Sequence, residues 1–286
     1  MTRSIVVYGN CQTEAVMSVL KQVPGLQSVP IAYYSSFERS SGVEVIEPTE
    51  STIASCLLLL GHPDDPQRPF PRHLLPADCS QVRFSPLDFN VFWPWTTVNP
   101  HDRRDAQHPW GSFPYGDRVI VDCVEKGMAP ADILAYYLHD AWNDYAPKLD
   151  RLLEIERRRL LARDALCDVK TAELILTNFT RQRLFWTRNH PAKLLLGETI
   201  GRILTVAARD FPVFAELDVP AFVAAHSIEP FAALQVPIHP KVAEHFGLEW
   251  CLPDAQYAWD GRHFTYEEYF AEMIWHSFAS TPSKHV

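Results

Sequence analysis

Ser4-Ile5-Val6-Val7-Tyr8-Gly9-Asn10-Cys11-Gln12, close to the start of a 286-residue chain, changes character abruptly at its glycine. The β-branched run Ile5-Val6-Val7 predicts a buried strand over Ser4–Gly9, and Gly9 lets the chain leave it sharply. Ala15, Val16, Val19, Leu20 and Val23 then recur at helical spacing until Pro24-Gly25 stops the pattern. This is a strand followed directly by a helix, the opening unit of an open sheet. Working outward, Gln27 to Tyr34, Ser55 to Gly61 and Gln81 to Phe84 read as further strands, which together predict a parallel sheet.

Beyond it, Phe89 to Pro114 is rich in Trp, Pro, His and Asn, including Trp93-Pro94-Trp95 and His108-Pro109-Trp110, and reads as an ordered aromatic loop. Helical patterns follow over Asp117–Lys126, Ala129–Trp142, Lys148–Asp164 and Thr171–Arg181. Pro191 is placed to open another helix, buried through Leu194, Leu195, Ile200, Ile203 and Leu204. Phe231 to His263 reads as irregular, before a last helix over Tyr266–Phe278. The predicted fold class is therefore α/β: an N-terminal open parallel sheet in an SGNH- or flavodoxin-like layout, then a mainly α-helical second half. The expected organisation is an α/β domain over 1–115 carrying the cysteine turn, and a helical region over 116–286 that packs on it and completes one active site.

Net charge is −9, from 26 Lys and Arg against 35 Asp and Glu, and this acidity argues against a nucleic-acid partner or an anionic membrane surface. An anionic ligand would need a local basic cluster. No apolar run has the length of a transmembrane helix and no signal-peptide layout opens the chain, so the expected location is cytoplasmic. The six cysteines are scattered, without a C-x-x-C pair, and read as free thiols; five of them have neighbourhoods that suggest ordinary packing, such as Cys56 before Leu57-Leu58-Leu59-Leu60. No H-E-x-x-H or similar spacing occurs, and no catalytic metal is expected.

Cys11 is different because of where it falls. A thiol attacks as the thiolate, and a helix N-terminus favours that form through its unpaired N–H groups and positive dipole end. The same turn would aim the N–H groups of Cys11 and Gln12 and the Asn10 amide at an oxyanion, with Gly9 allowing close approach. In open sheets ligands bind at the carboxyl ends of strands, where this turn lies. The competing reading is a small buried cysteine beside an ordinary Asn cap.

A cysteine nucleophile calls for a base, and His190 in Phe185-Trp186-Thr187-Arg188-Asn189-His190-Pro191 is the first candidate, with Asn189 to orient the ring or bind substrate. His62, in Gly61-His62-Pro63 after the third strand, is the second. Arg181, Arg183, Arg188 and Lys193 flank the His190 loop, where they would grip a phosphorylated cofactor, whereas Arg157-Arg158-Arg159 reads as a solvated helix face. The Phe92–Trp95 aromatics would either pack onto the domain or cover the cleft and stack on a ligand.

These residues resemble a known family, the WcbI-like capsular polysaccharide biosynthesis proteins. The likeness rests on Ile5-Val6-Val7-Tyr8-Gly9-Asn10-Cys11-Gln12, on Arg183-Leu184-Phe185 leading to Asn189-His190-Pro191, and on Ile238-His239-Pro240 through Leu248 and Tyr266-Glu267-Glu268-Tyr269. The resemblance implies an acetyltransferase that uses coenzyme A, with acetyl-CoA as donor and a surface-polysaccharide sugar as acceptor. It implies nucleophile or oxyanion roles for Gly9, Asn10, Cys11 and Gln12, and a place in the site for Asn189 and His190. Ala192-Lys193 after the His-Pro pair and Gly61-His62-Pro63 depart from the family pattern, which leaves the acceptor open. Two other readings share the site: a thiol-dependent carbohydrate esterase of GDSL-like layout, and a non-catalytic protein that binds a sugar or nucleotide.

Overall fold

The computed structural model describes residues 3–37, 47–102, 108, 111–226 and 228–279. Its first part runs β1 (Ser4–Gly9), α1 (Cys11–Leu20), β2 (Ile31–Ser35), α2 (Glu50–Ala54), β3 (Cys56–Gly61) and β4 (Ser80–Arg83). The four strands form one parallel sheet in the order β2-β1-β3-β4. The expected open parallel sheet is therefore present, with its second strand starting at Ile31 rather than Gln27.

β1 and β3 are apolar throughout because both their faces are covered. Ile5, Val7, Leu58 and Leu60 point to one side, where they meet Ala15, Val16, Val19 and Leu20 of α1. Val6, Tyr8 and Leu59 point to the other, against Ile53 and Phe70. This is the period-two alternation of a pleated strand.

The chain continues through β5 (Thr96–Val98), β6 (Tyr115–Asp117), α3 (Arg118–Glu125), α4 (Pro130–His139), α5 (Ala141–Asp144), α6 (Leu149–Ala165) and α7 (Ala172–Asn178). It ends with β7 (Phe185–Thr187), β8 (His190–Pro191), α8 (Lys193–Ala207), α9 (Val219–Ala225), α10 (Pro240–Phe246), β9 (Tyr257–Trp259), β10 (Arg262–Phe264) and α11 (Tyr266–Ala279). The second half is mainly helical, as the sequence predicts. α8 leaves that half and lays Leu196, Ile200, Ile203 and Leu204 on the α1 side of the sheet. A separate aromatic core gathers Phe89, Phe92, Trp93, Trp95, Phe179, Phe185, Tyr269 and Phe270.

Several sequence expectations need correction. Pro191 does not open α8: it pairs with Phe185 in a short antiparallel ladder, and the helix starts at Lys193. The helix expected over Ala129–Trp142 breaks at Asp140, giving α4 and α5. Phe231–His263 is not irregular throughout, since it holds α10 and the β9–β10 hairpin, whose tight link places Asp260 and Gly261 at positive φ. Arg157 and Arg158 are exposed, but Arg159 is half-buried: it bonds Glu156 and Asp88, and Glu156 in turn accepts from Asn90 N–H at 3.0 Å, so this one arginine of the run pins the entry to the aromatic segment. The Trp-rich segment is buried in the core, with Trp93 Nε1 donating to Val236 and Pro237 carbonyls and Trp95 Nε1 to that of Tyr145. His108 lies among the described residues, whereas Pro109 and Trp110 lie outside them.

Candidate active site

At the carboxyl end of β1 the chain turns through Gly9 and Asn10 into α1, and Cys11 is the first residue of that helix. Gly9 is needed there twice over. Its φ is +146°, a region that L side chains rarely adopt, and a Cβ would stand 2.8 Å from His62 Nδ1 and 2.7 Å from Thr13 Cγ2. Asn10 caps the helix, its Oδ1 accepting the Gln12 N–H at 2.9 Å. That bond uses the Gln12 N–H expected at the oxyanion. Cys11 is half-buried, and its sulfur is a thiol rather than half of a disulfide.

Gln12 contributes differently from the role its sequence position suggested. Its side chain is buried, and every polar atom of the amide is turned to backbone. Nε2 donates to the carbonyls of Leu87 and Asn189, both at 2.7 Å, and Oε1 accepts the Leu87 N–H at 2.7 Å. One hydrogen bond thus joins the residue after Cys11 to the residue before His190. Breaking it would leave buried amide and carbonyl groups unpaired, which costs about 1–3 kcal/mol for each such group.

His190 lies in β8 with its ring stacked on Phe231, centroids 4.6 Å apart and planes 16° from parallel. Its Nε2 is 3.2 Å from the Tyr115 hydroxyl, which also donates to Asn189 Oδ1 at 2.9 Å. Nδ1 is buried without a hydrogen-bond partner among the described residues. Burial lowers the pKa of the ring to about 4, so it is neutral at pH 7 and one ring nitrogen keeps its lone pair. Burial pushes the Tyr115 hydroxyl up to about 12; a bond with Thr187 opposes this, and the charge of Cys11 adds to it. The cysteine therefore belongs to the same electrostatic neighbourhood as Tyr115.

His62 sits at the end of β3 with its ring against Gly9 and edge-on to Phe84, centroids 4.9 Å apart. Burial, aided by the Arg163 charge, drives its pKa down to about 3, and its Nε2 has no partner among the described residues.

Beside Tyr115 lies a narrow cavity of about 30 Å³, walled by Trp93, Trp95 and Phe270, with Asp117, Arg188 and His239 as polar lining. Tyr115 and Asp117 alternate along β6 and share a face. Burial raises the Asp117 carboxyl to about 7, against the stabilising Tyr137 hydroxyl and the Val119 and Ile120 amides. Sequence reading passed over Tyr115 and Asp117. One signal was available: Gly116 between them, where a Cβ would meet the Asn99 backbone at 2.9 Å, marks a close strand pairing.

The basic residues separate into two groups. Arg183 is held by aromatic faces, its guanidinium 4.9 Å from the centroid of Trp186 and 4.8 Å from that of Trp250. Arg188 is exposed beside the cavity, and Lys193 is half-buried at the start of α8. Among the described residues no group of three or more His, Cys, Asp or Glu is placed to hold a metal, and no helix is long and apolar enough to cross a membrane.

Residues 4–208 match the family described as "Polysaccharide biosynthesis enzyme WcbI". Among solved structures, the fold is similar to that of WcbI itself, described as a novel polysaccharide biosynthesis enzyme, in a native form without a disulfide bond between coenzyme A and a cysteine of that protein. The TM-score is 0.74 at 17% identity, over 99% of this chain and 91% of that one. No curated protein matches the chain.

Proposed function

Because the chain belongs to the WcbI family of polysaccharide biosynthesis enzymes, we propose that it transfers an acetyl group from acetyl-CoA to a hydroxyl of a carbohydrate acceptor. The observation that carries this reading is the Gln12–Asn189 hydrogen bond, which fastens the cysteine turn to the histidine turn. The mention of coenzyme A and a cysteine together in the similar structure supports the choice of donor.

In this reading Cys11 attacks the thioester carbonyl. Its S–H proton passes to His190, the acetyl–sulfur bond to the enzyme forms as the bond to coenzyme A breaks, and the CoA thiolate leaves with a proton. The sugar hydroxyl then attacks the acetyl-cysteine while His190 takes its proton, and Cys11 is restored. The positive end of α1 stabilises both the thiolate and the developing oxyanion. In this reading Arg188 and Lys193 meet the phosphates of the donor.

Intact-mass measurement after brief incubation with acetyl-CoA tests this. One acetyl mass on Cys11, absent from Cys11→Ser, is expected. No acetyl mass, with no rise in melting temperature on adding acetyl-CoA, would refute the assignment of donor and nucleophile.

A further inference from the structure

Tyr115 is bonded to both residues of the Asn189-His190 pair, although nothing in the sequence ties it to them. Its hydroxyl donates to Asn189 Oδ1 at 2.9 Å, and the same oxygen receives Thr187 Oγ1 at 3.3 Å. Asn189 Oδ1 thus accepts from both hydroxyls, with its two lone pairs taken up. The Tyr115 proton is thereby committed to Asn189. What remains toward His190 Nε2, 3.2 Å away, is a lone pair on the tyrosine oxygen. An acceptor facing a ring nitrogen calls for a proton on that nitrogen.

We infer that Tyr115 is the positioning residue of this site, holding the proton of His190 on Nε2 so that the lone pair faces outward on Nδ1. The chain of donors then runs His190 Nε2–H to Tyr115 O, and Tyr115 O–H to Asn189 Oδ1. Nδ1 is the buried ring nitrogen left without a partner among the described residues, as a base awaiting a proton requires. Phe231 fixes the ring plane from one face and the Tyr115 ring meets it edge-on, with planes at 81°. When Nδ1 takes a proton from the thiol or a sugar hydroxyl, the imidazolium is held by Nε2–H on a tyrosine oxygen that keeps its own proton. No carboxylate is needed for that orientation, and the Nδ1–H tautomer would have to draw the Tyr115 proton away from Asn189, breaking that bond.

The catalytic use of Nδ1 rests on the reading of His190 as a base, but the tautomer can be measured without any substrate. Long-range ¹H–¹⁵N spectra of uniformly ¹⁵N-labelled protein at pH 7, with His190 assigned through His190→Gln, report which ring nitrogen carries the proton. The expected pattern has the proton on Nε2 in the wild type, and a shift towards a mixture of tautomers in Tyr115→Phe, which keeps the ring and loses the oxygen. In the same variant, alkylation of Cys11 by iodoacetamide at pH 7 should slow by about tenfold. A wild-type ring protonated on Nδ1, or a tautomer unchanged in Tyr115→Phe, would overturn the inference. The wild-type spectrum decides even if the variant does not fold. Failure of acetylation by acetyl-CoA with the Nε2–H tautomer intact would count against the proposed reaction alone.

Discussion

Two histidines approach the cysteine turn from different sides, and they are built in opposite ways. His62 ends β3 and reaches the turn through van der Waals contact, its Nδ1 occupying the space a Gly9 side chain would need. His190 lies in β8 and reaches the turn through a chain of polar groups: Gln12, the Asn189 backbone, the Asn189 amide and Tyr115. Burial makes both rings neutral at pH 7, with pKa values lowered to about 3 and about 4. Burial therefore gives no ground for preferring either ring as the proposed base. Connection to groups that fix where its proton sits does.

The largest expected effect separates the two rings directly. His190→Gln should slow single-turnover acetylation of Cys11 by about 10²–10⁴-fold, whereas His62→Gln should slow it less than tenfold. Equal losses, read by quenched-flow mass spectrometry, would dissolve the distinction.

Next in size is the fastening between the turns. Gln12→Leu deletes three hydrogen bonds, two of them buried and one partly so, and strands their backbone partners, an expected loss of about 3 kcal/mol in urea denaturation. A cost below ~1 kcal/mol would mean that the two turns hold their places without it. Gly9→Ala should cost about 2 kcal/mol, part from its positive φ and part from the clash with His62. In a His62→Ala background the His62 part of the clash is relieved while that with Thr13 remains, so a double-mutant cycle should show partial coupling between positions 9 and 62. Additive losses would show that His62 does not shape the turn.

Comparable to the Gly9→Ala cost is the effect on stability against pH. The His62 pKa in the folded protein lies below its ordinary value of 6.5, so the unfolded chain binds more protons between about 6.5 and about 3. Its contribution is complete above pH 6.5 and is lost as pH falls toward 3, on the order of 1 kcal/mol per pH unit. Melting temperatures followed from pH 7 to 4.5 should fall more steeply in the wild type than in His62→Gln.

How much of this was legible in the sequence follows from the range of the forces involved. β1, the Gly9 turn and the face of α1 are local: β-branched period, a glycine and helical spacing occur within one short segment, and the structure has them where the pattern puts them. The Gly-Asn-Cys-Gln turn and the Asn-His pair were equally visible as motifs. Their meeting was not, because the Gln12–Asn189 bond spans 177 positions and nothing in either motif states a partner. Tyr115 and Asp117 were hidden for the same reason, lying on a three-residue strand too short to produce a period. Pro191 misled because proline suits a helix start and an extended ladder equally well, and pairing with Phe185 decided between them. Arg159 was mistaken for surface since its partner Asp88 lies 71 positions away.

The central claim is that Cys11 and His190 work as one unit, and the pH dependence of Cys11 alkylation tests it without a substrate. Peptide-resolved labelling with iodoacetamide between pH 5 and 9 should show rapid reaction of wild-type Cys11 at pH 7. In His190→Gln the rate at that pH should fall at least tenfold, and the profile should move toward that of an ordinary thiol, with a pKa of about 8.5. Superimposable profiles for the two proteins would contradict the account.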